Sequence, residues 1–150
     1  MKGYMFCIAF VASLGGLLFG FDTAVISGAE KAIQQVYELN NFWHGFTITT
    51  ALLGTILGAL TCGRPAQKYG RLKSLQVIGV LYLISAIGSA AIVNWYAFMA
   101  FRFLGGLAVG ASSVIGPMYI AEISPSSWRG RFVAFFQFNI VLGIVCVIIF

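Results

Sequence analysis

Residues 74–121 carry a single charge, Arg102, in an otherwise apolar run. As a helix rising about 1.5 Å per residue, this run is about twice as long as a ~30 Å hydrocarbon core is thick, so it must fold back into two spans. A charge inside a span costs about 2.5 kcal/mol or more on insertion scales and calls for a partner. The acidic residue that interrupts an apolar run is Asp22. A carboxylate and a guanidinium held in lipid point to ion-coupled transport.

Composition excludes an ordinary soluble domain, because 60% of residues are hydrophobic and only 9% are charged. The net charge of +5 raises nucleic acid as a partner, but the placement of the charges rejects it. Four of the nine Lys and Arg are Arg64, Lys68, Arg71 and Lys73; Lys2, Arg129 and Arg131 follow the same alternation. Pairs of spans separate these clusters, so all fall on one side of the membrane. The other side carries Lys31, balanced by Glu30 and Glu38. Positive-inside asymmetry then predicts a multi-pass protein of the inner (plasma) membrane with a cytoplasmic N-terminus and lipid as its surroundings.

Uncharged length predicts one partial transmembrane domain over 1–150, with spans at about 5–28, 45–63, 74–93, 97–120 and 132–150. A tight hairpin at Asn94-Trp95-Tyr96 joins the third and fourth. The longer polar stretch after the first span reads as a loop, with His44 solvated and without a role. Asp22, the length of the first run and the lack of a small-x-small site argue against a cleaved signal peptide. Cys7, Cys62 and Cys146 give neither a disulfide framework nor metal-ligand spacing. Gly16 and Gly20, Gly54 and Gly58, and Gly106 and Gly110 form small-xxx-small pairs that let helices pack closely. Pro117 and Pro125 near the inner end of the fourth span favour a kink. With the fifth span running to the last residue, the chain is expected to be a truncated part of a longer protein.

Depth brings the two buried charges to one level. With the N-terminus inside, Asp22 lies about 9 Å below the outer end of its span and Arg102 about 8 Å below the outer end of its own. Two readings stay open: a static pair that fixes packing, or a carboxyl whose proton affinity changes with its neighbour and with water access.

The surrounding residues carry a family resemblance. Residues 15–28, Gly-Gly-Leu-Leu-Phe-Gly-Phe-Asp-Thr-Ala-Val-Ile-Ser-Gly, resemble the first helix of the sugar porter family of the major facilitator superfamily. Arg102-Phe103-Leu104-Gly105-Gly106, Pro117-Met118-Tyr119-Ile120-Ala121-Glu122-Ile123-Ser124-Pro125 and Arg129-Gly130 resemble its fourth helix and the following loop. Bacterial proton–pentose (xylose-type) symporters are most similar. The resemblance implies an all-α integral membrane fold: the N-terminal half of a major facilitator, here about five helices of a six-helix bundle, completed by a missing C-terminal half.

It also implies roles. Asp22 would be the protonation site and Arg102 its partner, with the proton as coupling ion and no cofactor. Facilitative members usually have Asn at that position, so Asp22 favours symport. Gln137, in Phe136-Gln137-Phe138, matches a sugar-binding Gln, and an amide suits vicinal hydroxyls. Ile140 and Phe19 would line the same face, while Ile144 is apolar where some symporters carry a second Gln. Gly70 and Arg71 match the signature between helices two and three, with Gln67 replacing its usual Asp and Leu72 its second basic residue. Glu122, Arg129 and Arg131 match a cytoplasmic salt-bridge cluster made and broken during gating; simple headgroup anchoring is the rival reading.

The expected function is proton-coupled transport of a pentose, hexose or polyol by alternating access, as part of a longer transporter. The alternatives are a facilitative uniporter and a truncated membrane protein that does not transport. With no hydrolytic triad, phosphate loop or metal cluster in the sequence, an enzyme is not expected.

Overall fold

Lipid offers no hydrogen bonds, so an apolar chain must satisfy its backbone internally, and this one does so with helices. A computed structural model describes residues 2–149, with Lys2 and Ala29 described by backbone alone. The helices are α1 (Lys2–Val36), α2 (Asn41–Thr61), α3 (Gly63–Tyr69), α4 (Arg71–Ala91), α5 (Trp95–Ile123) and α6 (Arg129–Ile149). All but α3 are long and apolar enough to cross a bilayer, α1 doing so over Gly3–Gly28. Five such helices stand among the described residues, the number of spans expected; Phe150, at the end of the last expected span, lies outside the described residues. α5 runs through Pro117 without a break, and Pro125 falls beyond its end.

Several boundaries differ from expectation for physical reasons. α1 does not stop near residue 28, because Glu30, Lys31, Ala32, Gln34 and Gln35 hold a helix in water as well as lipid does. The chain turns only at Glu38, whose φ is 48°. His44 therefore stands in the first turn of α2, not in a solvated loop. The expected loop 63–73 folds mostly as α3, with Ala66 buried. Just before it, Cys62 is buried and gives its Sγ–H to the Ala59 carbonyl, and burial pushes its thiol pKa up.

Gly70 joins α3 to α4 at φ 87° and ψ 154°, a region that essentially only glycine occupies. Gly70→Ala is expected to cost about 1–3 kcal/mol. The check is thermal unfolding of detergent-purified protein, where an unchanged Tm would contradict the strain argument.

Within spans, hydroxyls are satisfied along their own helix: Thr47, Thr49, Thr50, Thr55 and Thr61 each donate to the carbonyl one turn earlier. Thr side chains thus enter lipid without an orphaned donor.

The helices sort into two compact units, one of Glu30–Ser112 and one of Met1–Ala29 with Ser113–Phe150. In the first, α2 crosses α5 glycine to backbone. A Cβ on Gly54 would lie 2.5 Å from the Phe103 carbonyl oxygen, and Cβ atoms on Gly58, Gly106 and Gly110 would enter the backbones of Leu107, Ala51 and Thr55. α4 joins α5 through Ser85, whose hydroxyl donates to the Phe101 carbonyl at 2.6 Å. Where α2 begins, Trp95 Nε1 donates to Thr47 Oγ1 at 3.1 Å, and His44 Nε2 lies 3.1 Å from Glu30 Oε1.

In the second unit α1 crosses α6 in the same way. A Cβ on Gly16 would lie 2.8 Å from the Phe136 carbonyl oxygen; one on Gly20 would enter the Ile140 backbone, and one on Gly143 that of Leu17. Ala9, Ile120, Phe132 and Phe136 form the core beneath this crossing. Both crossings are built on the same hexapeptide pattern, Gly15-Gly16-Leu17-Leu18-Phe19-Gly20 and Gly105-Gly106-Leu107-Ala108-Val109-Gly110. The chain therefore makes one packing device twice.

Candidate functional site

Asp22 sits on α1 just past the Gly16–Gly20 seam, half-buried in the second unit. The next residue, Thr23, donates its hydroxyl to the Phe19 carbonyl at 2.8 Å, which keeps that hydroxyl within the helix. Arg102 belongs to the first unit, one turn before Gly106 on α5, and is also half-buried. Its guanidinium lies 5.2 Å from the centroid of the buried Phe98 ring, a cation–π contact that stabilises a charge away from water.

The α1–α6 crossing brings together the chain segments that carry the expected sugar contacts. Gly20 rests on the backbone of Ile140, so Phe19 and Asp22 stand on α1 close to the level of Ile140 on α6. The Ile140 side chain packs against the Ala9–Ile120–Phe132–Phe136 core, and Phe19 is half-buried. Gln137 is exposed, on a different side of α6 from the seam of Phe132, Phe136, Asn139 and Gly143. An exposed primary amide offers two donors and an acceptor, which fits a polyhydroxylated ligand.

A polar contact that sequence reasoning did not single out lies in the same crossing. Asn139 Nδ2 donates to Ser13 Oγ at 2.8 Å, and Ser13 in turn donates to the Phe10 carbonyl at 2.7 Å, with both residues buried. In lipid such a chain pins helix register. The available signal was Asn139 at core spacing from Phe132 and Phe136.

The remaining candidates lie at helix ends. Gly70 caps α3, and Arg71 opens α4, half-buried. Glu122 is exposed near the end of α5, and Arg129, the first residue of α6, donates Nε–H to the neighbouring Ala121 carbonyl at 2.8 Å. The Arg131 guanidinium stacks 4.8 Å from the Trp128 ring centroid. Close to it, an apolar groove of about 460 Å³ runs between Phe6, Phe10, Phe132 and Phe135. Cys7, Ala9 and Trp128 complete its largely apolar lining, and Arg131 is its charged residue.

Among the described residues, five membrane-length helices, close-packed on glycine and carrying a carboxylate and a guanidinium within spans, mark a multi-pass membrane protein. The chain belongs to the sugar (and other) transporter family, whose sequence model matches residues 8–150. It is 45% identical over 141 residues to a glucose transport protein of Synechocystis sp., covering 94% of this chain and 30% of that protein. To the D-xylose-proton symporter of Escherichia coli it is 38% identical over 168 aligned positions, covering 95% of this chain and 34% of the relative. Its fold superposes on the inward-open xylose transporter XylE from E. coli with a TM-score of 0.88 at 38% identity, over 95% of this chain and 38% of that one. The chain thus spans about a third of the length of these relatives.

Proposed function

We propose that this chain forms part of the N-terminal half of a proton-coupled sugar transporter, working by alternating access with its substrate near the bilayer midplane. The observation that carries the reading is Asp22, a carboxylic acid inside an apolar span of a sugar-transporter-family chain. Proton coupling requires a group that titrates, and Arg102 is the cation whose approach would tune it. Relatives named as a D-xylose-proton symporter and an arabinose-proton symporter support the same direction. The relative named as a glucose transport protein keeps hexoses within the substrate class.

In this reading Phe19, Gln137 and Ile140 contact the sugar. Gly70, Arg71, Glu122, Arg129 and Arg131 work at the cytoplasmic ends of the helices, where the N-terminus also lies. The single 1–150 transmembrane segment would combine with a second half to enclose the substrate. Transport, not bond chemistry, is the activity.

The deciding experiment follows external pH while a panel of pentoses, hexoses and inositol is added to proteoliposomes holding the full-length protein. Alkalinisation on adding one sugar is expected. Uptake without a pH change would establish a facilitator, and no uptake of any sugar would favour a chain that does not transport.

Gln137→Ala removes the amide while leaving the Phe136 seam in place. Loss of a hydrogen-bonding partner for a buried hydroxyl costs about 1–3 kcal/mol, so sugar Kd should rise about tenfold at normal expression. An unchanged Kd by isothermal calorimetry would remove Gln137 from the site.

A further inference from the structure

The segment between α2 and α4 offers a second surface, unrelated to sugar. Both flanking helices are membrane-length, so this short stretch must lie at a membrane face. It is two-sided. Cys62 and Ala66 turn inward and are buried, as does Ser74 at the start of α4. Arg64, Lys68 and Lys73 point outward, and with them Tyr69 and Leu72, which are 61% and 56% exposed. Lys68 Nζ lies 5.5 Å from the Tyr69 ring centroid, which places a cation over an exposed aromatic.

Cations flanking an exposed Tyr and Leu at the end of two spans match what an interfacial anchor requires: apolar groups at the acyl boundary and positive charge at the phosphates. The segment itself contains no acid, residue 67 being the neutral Gln67. The acids of this unit, Glu30 and Glu38, lie at its opposite end. Glu30 touches His44 in the first turn of α2, while the basic segment follows the last turn, about 30 Å away along the helix. That separation exceeds the ~8 Å Debye length at physiological salt several-fold, so these carboxylates do not neutralise the patch.

The geometry points to a binding surface for anionic phospholipid headgroups, formed by Arg64, Lys68 and Lys73 and seated in the bilayer by Tyr69 and Leu72. A zwitterionic headgroup brings its own cation to the patch and gains little. An anionic phosphodiester gains the attraction of each cation near the surface.

The test uses the full-length protein in nanodiscs containing equal parts phosphatidylglycerol and phosphatidylcholine, followed by native mass spectrometry of the lipids that remain bound. Phosphatidylglycerol should be retained about tenfold over phosphatidylcholine. Its excess should shrink as salt rises from ~0.05 M to ~0.5 M. Lys68→Gln combined with Lys73→Gln should cut the preference about tenfold, whereas the double change to Arg should keep it. Gln67→Glu removes no cation but places an acid among them, and should lower the preference as well. Equal retention of both lipids, the result expected if a protein surface covers the segment, overturns the assignment. So does a preference that neither the double Gln variant nor Gln67→Glu alters. Because the readout is bound lipid, its failure is separate from failure of the transport reading.

Discussion

Asp22→Asn in the full-length protein is expected to bring sugar accumulation down to the external concentration while sugar exchange across the membrane continues. The substitution keeps the shape and hydrogen-bonding reach of the side chain but deletes its proton site. One coupled proton moving down a gradient of about one pH unit carries about 1.4 kcal/mol, enough for about a tenfold sugar gradient. Without a titrating group that free energy has no route to the sugar, so the accumulation ratio should fall to one. Counterflow of labelled sugar requires binding and helix rocking but no net proton movement, and it should survive. Accumulation retained against a gradient would remove Asp22 from coupling and leave the static-pair reading. Loss of counterflow as well would mean that the side chain is structural.

The cation proposed as the partner of Asp22 has a contact of its own within its unit. Arg102 lies over the buried Phe98 ring on α5, and that contact helps hold the guanidinium in place.

The number and order of spans were legible because charge-free length is itself the physical requirement for crossing lipid. Helix ends were not, because hydrophobicity marks where the lipid is and not where the helix stops. α1 continues through Glu30 and Gln35 for that reason, and it draws His44 into α2 and against Glu30. α3 was hidden by its composition, as Gly63, Pro65 and Gly70 look like a loop until Pro65 is seen in the first turn, where its missing N–H costs nothing. Of the candidate site, Asp22, Arg102 and Gln137 could be singled out by residue type and resemblance. The Asn139–Ser13 bond could not, since it depends on which faces of α1 and α6 meet. The glycine pairs were visible as pairs, but their partners were not. Gly16 and Gly20 meet α6, and Gly106 and Gly110 meet α2, helices far apart in sequence from the glycines they receive.

Those crossings carry the largest expected structural effect. Gly20→Ala and Gly110→Ala should each destabilise the protein by about 3 kcal/mol, the upper end of what overpacking costs. At both positions the added methyl would meet the carbonyl of the facing helix, Ile140 or Thr55, and not the tip of a side chain. No rotamer change relieves a backbone contact, so the helices must separate and the neighbouring glycine contacts loosen with them. Gly79→Ala is the matched control: Gly79 is exposed on α4 with nothing within 4 Å of its Cβ direction, and Ala is the better helix former there by about 1 kcal/mol. Thermal unfolding in detergent should thus show a large drop in Tm for the two seam variants and none for the control. Equal behaviour of all three would mean that the crossings are looser than their geometry. Because Gly20 meets the Ile140 backbone, Gly20→Ala should also part α1 from α6 beside Phe19, Asp22 and Ile140, and under the proposed function it should reduce sugar binding. Gly110→Ala acts in the other unit through the same contact, and comparing their sugar affinities separates damage to the binding helix from loss of stability alone.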